Sequence, residues 1–131
     1  MIGIDTNVLV RYLAQDDPEQ SAIATELIEQ RLTSREPGFI SVAAMTETSW
    51  VLTRAYRLTD KDVASAIERV LQADGLVVQN EQQVFASMIA LKDGRGSFAD
   101  ALIGLLGAAA GCSRTVTFDR QALRLAEFGP M

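Results

Sequence analysis

Four short β-prone segments, residues 1–4, 39–40, 76–78 and 114–118, punctuate this chain, and each interval between them shows helical periodicity. That alternation leaves few folds open. Strand-helix-strand order favours parallel strands joined by right-handed helical crossovers, with helices on both faces of one sheet. The fold class read from it is α/β, a three-layer α/β/α sandwich around a short parallel sheet of four or five strands. In such sheets ligands lie beyond the carboxyl ends of the strands. Asp5 and Asp119 both fall at such ends.

The helix signals between these segments are local. Residues 7–13 turn Val8, Leu9 and Tyr12 inward. Asp17-Pro18-Glu19-Gln20 reads as a helix start, with Asp17 as N-cap, Pro18 in the first turn and Gln20 closing a capping box. That helix is expected to run to about residue 32, with Ile23, Ala24, Leu27 and Ile28 toward the core. Ser41 caps residues 42–56, and Glu47 lies on a stripe with Ala43, Trp50, Val51 and Arg54. Thr59 caps the next helix, which Asp74-Gly75 closes. Residues 81–92 are helical up to Gly94, and Ser97 caps an apolar helix over 98–110. Trp50, Phe85 and Phe98 are expected first in the core and second as an aromatic platform for bases, and Cys112 as a small buried hydrophobe. The 131 residues suit one domain, 1–131. The apolar run over 101–112 is too short to span a bilayer, and Met1 leads into no basic region or cleavage site, so a cytoplasmic protein without membrane contact is expected.

Composition then removes whole classes of chemistry. There is no His and a single Cys, which excludes Ser-His-Asp and Cys-His triads, imidazole zinc sites and an internal disulfide. The turn Gly94-Arg95-Gly96 lacks the following Lys-Ser/Thr of a phosphate-binding loop. What remains is carboxylate. Asp5 ends an apolar strand, Glu47 sits in a helix among Ala, Trp and Val, Asp100 lies in the first turn of the most apolar helix, and Asp119 ends the last strand. Ionised carboxylates are rarely buried without a partner or a metal. Oxygen-only ligands select Mg²⁺ or Mn²⁺, with Asp5 and Asp100 as the direct ligands and Glu47 and Asp119 as further ligands or holders of water. Each acid also has a purely structural reading. Asp5 and Asp119 suit helix caps, Asp100 a charge at a helix N-terminus, and Glu47 a solvated helix face.

Taken together, Ile4-Asp5-Thr6-Asn7-Val8-Leu9, the Glu47 helix after Phe39-Ile40-Ser41, Phe98-Ala99-Asp100-Ala101-Leu102-Ile103 and Thr117-Phe118-Asp119-Arg120 resemble the PIN-domain ribonucleases, and most closely the VapC-type toxins of prokaryotic toxin-antitoxin pairs. The resemblance spans essentially the whole chain. It implies a Mg²⁺- or Mn²⁺-dependent endoribonuclease that cleaves cellular RNA and is held inactive by a cognate antitoxin. It also implies that Asp5, Glu47, Asp100 and Asp119 form the catalytic and metal-binding pocket, that Thr6, Asn7 and Thr117 support it, and that the protein is a homodimer. Apolar stripes of the first two helices are candidates for that interface. The Arg95-Gly96-Ser97 loop departs from the family pattern and bears on substrate fit.

The net charge of -5 offers no diffuse attraction for nucleic acid, so RNA must be held locally. Metal in an acidic pocket, with Arg11, Arg54, Arg95 and Arg120 on its rim, supplies such a track. The same acids would attract an Arg of a basic antitoxin segment. Two other classes compete. An aspartate-dependent phosphoryl-transfer enzyme would need a second Asp two residues after Asp5, where Asn7 stands, and a non-catalytic metal-binding interaction module would keep the pocket without the reaction.

Overall fold

The computed structural model describes residues 1–131. Strands Ile2–Gly3 (β1), Gly38–Ile40 (β2) and Leu76–Val78 (β3) form a parallel sheet in the order β1-β2-β3, with Ile2 opposite Gly38 and Gly38 opposite Leu76. Helices Thr6–Ala14 (α1) and Pro18–Glu26 (α2), prolonged by a π-helical turn at Leu27–Arg31, lead from β1 to β2. Helices Val42–Arg54 (α3) and Asp60–Gln72 (α4) lead from β2 to β3. Helices Glu81–Lys92 (α5) and Phe98–Ala109 (α6) then pack along each other. Thr115–Val116 (β4) and Phe128–Gly129 (β5), separated by a 3-10 turn at Ala122–Arg124, make a second parallel pair. The architecture is the three-layer α/β/α one expected, with its five strands divided into a sheet of three and a sheet of two. No helix is long and apolar enough to cross a membrane.

The caps explain why the helices begin where they do. Asp17, Ser41, Thr59 and Ser97 each accept a hydrogen bond from the amide three residues on, at 2.9 to 3.2 Å, satisfying one of the orphan donors of each first turn. Only half of the expected capping box forms at Asp17. The Gln20 side chain instead accepts from Arg11 Nε at 2.7 Å.

One cluster of 21 buried residues joins Ile4, Ile40, Leu76 and Val78 to the inner faces of the helices, with Leu9, Met45, Leu52, Ile67, Val84 and Phe98 wholly enclosed. A second cluster holds only Ala90, Ala101 and Leu125, against which Phe128 packs, and on it the C-terminal segment depends. Two glycines let the chain close over the sheet. A Cβ at Gly75 would stand 2.7 Å from the Leu32 carbonyl oxygen, and one at Gly38 would stand 2.8 Å from side-chain carbons of Ile4 and Leu32.

Several residues lie elsewhere than their periodicity predicts. Ile23 is 61% exposed, because α2 is short and only Ser21 and Ala24 of it are buried. Ile2 and Gly3 are exposed along the outer edge of β1, and only Ile4 of that segment is buried. Trp50 and Phe85 stand on outward helical stripes at 61% and 50% exposure, whereas Phe98 is enclosed as expected. Cys112 is exposed, since α6 has ended before it.

Candidate active site

Three elements that carry candidate residues follow the carboxyl ends of strands, two from the three-stranded sheet and one from the β4-β5 pair. Asp5 follows β1 as the N-cap residue of α1, yet its carboxylate makes no capping bond, and only its carbonyl serves the helix, accepting from the Val8 and Leu9 amides. The cap reading of this side chain therefore fails. Next, α3 leaves β2 through the Ser41 cap with Glu47 in its second turn. Thr117 and Asp119 follow β4.

Both ends of α3 are fixed. At its start, Gln79 just beyond β3 accepts a hydrogen bond from the Val42 amide at 2.9 Å. Past its end, the Tyr56 hydroxyl donates to Asp16 at 2.6 Å and accepts from Arg11 at 3.2 Å, while Arg11 also pairs with Asp16 at 3.3 Å. The Tyr56 hydrogen bond holds the Asp16 carboxyl below its ordinary range, with the Arg11 charge adding to it, and the same bond pushes the Tyr56 hydroxyl up. Arg11 is thus a strut between α1 and the end of α3, not a free rim charge.

The four acids expected from sequence do not share one environment. Asp5, Glu47 and Asp119 are exposed and Asp100 is half-buried, so the expectation that all four are shielded is corrected: each projects from the end of a strand or the outer part of a helix. The side chains of Asp5, Glu47 and Asp100 enter no hydrogen bond or ion pair, since the two ion pairs of the molecule are Arg11–Asp16 and Arg95–Asp93. Asp119 differs. Its carboxylate accepts from the Gln121 amide at 2.8 Å and its own amide donates to Thr117 Oγ1 at 3.0 Å, so Thr117 and Asp119 shape a local turn. Thr6 is buried and Asn7 exposed in the first turn of α1. No three acids or thiols stand close enough together to enclose a metal ion. The donor set of free carboxylates is nonetheless the hard, all-oxygen kind that suits Mg²⁺ or Mn²⁺.

Beside Glu47 runs an open groove of about 1010 Å³ between α3 and α6. Glu47, Trp50 and Arg54 line it from α3, Ser97 and Ile103 from the other side, and Gln121 and Arg124 from the C-terminal turn. Asp5, Asp100 and Asp119 lie outside its walls, although Ser97 and Ala99 bring it next to Asp100. The loop before α6 is held by Arg124, which donates to the Gly94 carbonyl at 3.3 Å, and by Leu125, packed where a Cβ on Gly96 would stand. Gln79 and Arg124 were not singled out from sequence as site residues, and a base platform was only the second reading of Trp50. Trp50 read as core, and the roles of Gln79 and Arg124 come from tertiary placement that no local pattern encodes.

Among the other arginines, Arg54 lines the groove without an acidic partner, Arg95 pairs with Asp93 at 3.7 Å, and Arg120 is exposed. A profile of the PIN domain, whose members are generally metal-dependent nucleases, matches residues 2–128. No curated protein and no solved structure gives a significant match.

Proposed function

The chain belongs to the PIN domain family, and from that premise we propose that it is a Mg²⁺- or Mn²⁺-dependent endoribonuclease, the toxin of a VapC-type toxin-antitoxin pair. The reading takes residues 1–131 as one PIN-like domain working in the cytoplasm. One observation supports it above the rest: the PIN profile runs over residues 2–128, and along that stretch Asp5 after β1, Glu47 in the helix after β2 and Asp100 in the first turn of α6 leave their carboxylates free for a ligand.

In this reading Asp5 and Asp100 would hold the cation, and Glu47 and Asp119 would hold or orient the attacking water. When bound, the cation supplies Lewis acidity and offsets the charge that grows on the phosphodiester. Water adds to phosphorus, its proton passes to a carboxylate or solvent, and the bond to the leaving sugar oxygen breaks. Thr117 keeps Asp119 in its turn through the 3.0 Å bond to the Asp119 amide, and Thr6 and Asn7 seat the start of α1 beside Asp5. No His is needed for any of this. A cognate antitoxin would inhibit by presenting a basic segment to the acids, and in this reading the protein works as a homodimer.

The test is cleavage of total cellular RNA by the purified protein in Mg²⁺ or Mn²⁺, with chelator and Asp5→Asn as controls and circular dichroism to verify folding. Cleavage lost in both controls is expected. Cleavage that survives Asp5→Asn would overturn the site, and none from folded, antitoxin-free protein with either metal would overturn the activity.

A further inference from the structure

The chain's single tryptophan, Trp50, stands 61% exposed on the outer face of α3, three residues after Glu47 and four before Arg54. These spacings put all three on one helix face. All three line the groove between α3 and α6, where Arg124 faces them from the C-terminal turn. Neither Arg54 nor Arg124 has a carboxylate partner. An indole joins an apolar body to an N–H donor, and such rings are enriched where a protein surface meets a ligand.

We propose that Trp50 is a stacking platform for a base of single-stranded RNA, with Arg54 and Arg124 holding the flanking phosphates. The inference rests on the nuclease reading above and deepens it. A base offers a π face to any aromatic ring without regard to sequence, and guanidinium groups match phosphate geometry. The groove supplies both within one helical turn of a candidate catalytic carboxylate. A substrate strand that reaches Glu47 along this face has to pass the indole. An A-form duplex keeps its bases stacked inside, so the platform selects unpaired RNA.

Because Trp50 is the sole tryptophan, its emission reports this site alone. Wild-type protein is mixed in Mg²⁺ with a mixed-sequence 12-nucleotide RNA, single-stranded or annealed, and emission is read by stopped flow before cleavage. Cleavage kinetics and oligomeric state are then measured for wild type, Trp50→Ala and Trp50→Phe. Saturable quenching by the single strand and much less by the duplex is expected. Trp50→Ala is expected to raise KM about tenfold with kcat little changed, and Trp50→Phe to restore most of the loss. Normal cleavage with no quenching and an unchanged KM in Trp50→Ala would overturn the platform and leave the nuclease standing. A Trp50→Ala protein that loses only its self-association would assign the residue to a contact between copies instead. Absence of metal-dependent cleavage in wild type would remove the nuclease reading and this one with it.

Discussion

On the inner face of α3, Ala44, Met45, Thr48 and Leu52 are buried, whereas on the outer face of the same helix Ala43, Glu47, Trp50 and Arg54 stand in solvent. The largest apolar side chain of the helix is on the wet side. Folding alone would place it the other way, because a buried Trp removes more apolar surface from water than Met or Leu. The inner face is accounted for by packing. The outer face presents an unpaired carboxylate, an unpaired guanidinium and an open indole, the groups that the proposed site uses.

The largest expected effect comes from removing an outer-face charge. Glu47→Gln should lower metal-dependent RNA cleavage by at least about 100-fold, since metal-site carboxylates support several kcal/mol of transition-state stabilisation. Its urea midpoint should stay near that of wild type, as for surface changes generally. A stable, fully active Glu47→Gln would erase the contrast. The inner face should answer in the opposite way. Met45→Ala, at a wholly enclosed position, should cost about 2–5 kcal/mol in urea unfolding while each folded molecule keeps its cleavage rate.

A smaller effect tests whether the inner face is purely apolar in its demands. Thr48 Oγ1 is buried without a hydrogen-bond partner, unlike Thr46 and Thr53, whose hydroxyls donate to the carbonyls four residues back. Thr48→Val keeps the shape and removes the orphan, so stability should rise by about 1 kcal/mol. A fall in the urea midpoint would show that the hydroxyl does useful bonding. The smallest effect concerns the strut at the end that both faces share. The Asp16 carboxyl is depressed below its ordinary 3.8, so its contribution is present above that pH and is lost as pH falls through the lower folded value. The Tyr56 hydroxyl is raised above 10.0, so its contribution is present below that pH and is lost as pH rises through the higher folded value. Tyr56→Phe should flatten both limbs of the stability-pH curve, and unchanged limbs would mean that the strut does not hold α3.

Much of this was legible in the sequence because its signals are local. Ser41, Thr59 and Ser97 announce helix starts by one side-chain oxygen, and Leu76–Val78, bounded by Gly75 and Asn80, forms the strand expected there. What escaped depends on distance along the chain. Phe128–Gly129 is too short to show a period and exists as a strand only beside β4. The C-terminal segment buries just Ala122 and Leu125 and leaves Phe118 93% exposed, so hydrophobic patterning says little about it. At the site, the positions of Asp5 and Asp119 after strands were readable, but their difference was not. Asp5 is free and Asp119 is bonded into a turn with Gln121 and Thr117. Trp50 misled because a helical stripe containing Ala, Val and Trp looks apolar whichever way it faces.

The central claim is that the free carboxylates exist to hold a divalent cation, and equilibrium Mn²⁺ binding to folded wild type and Asp5→Asn tests it most directly. The account predicts saturable binding by wild type that is lost or strongly weakened in the variant. No saturable binding by wild type, or equal binding by both proteins, would contradict it.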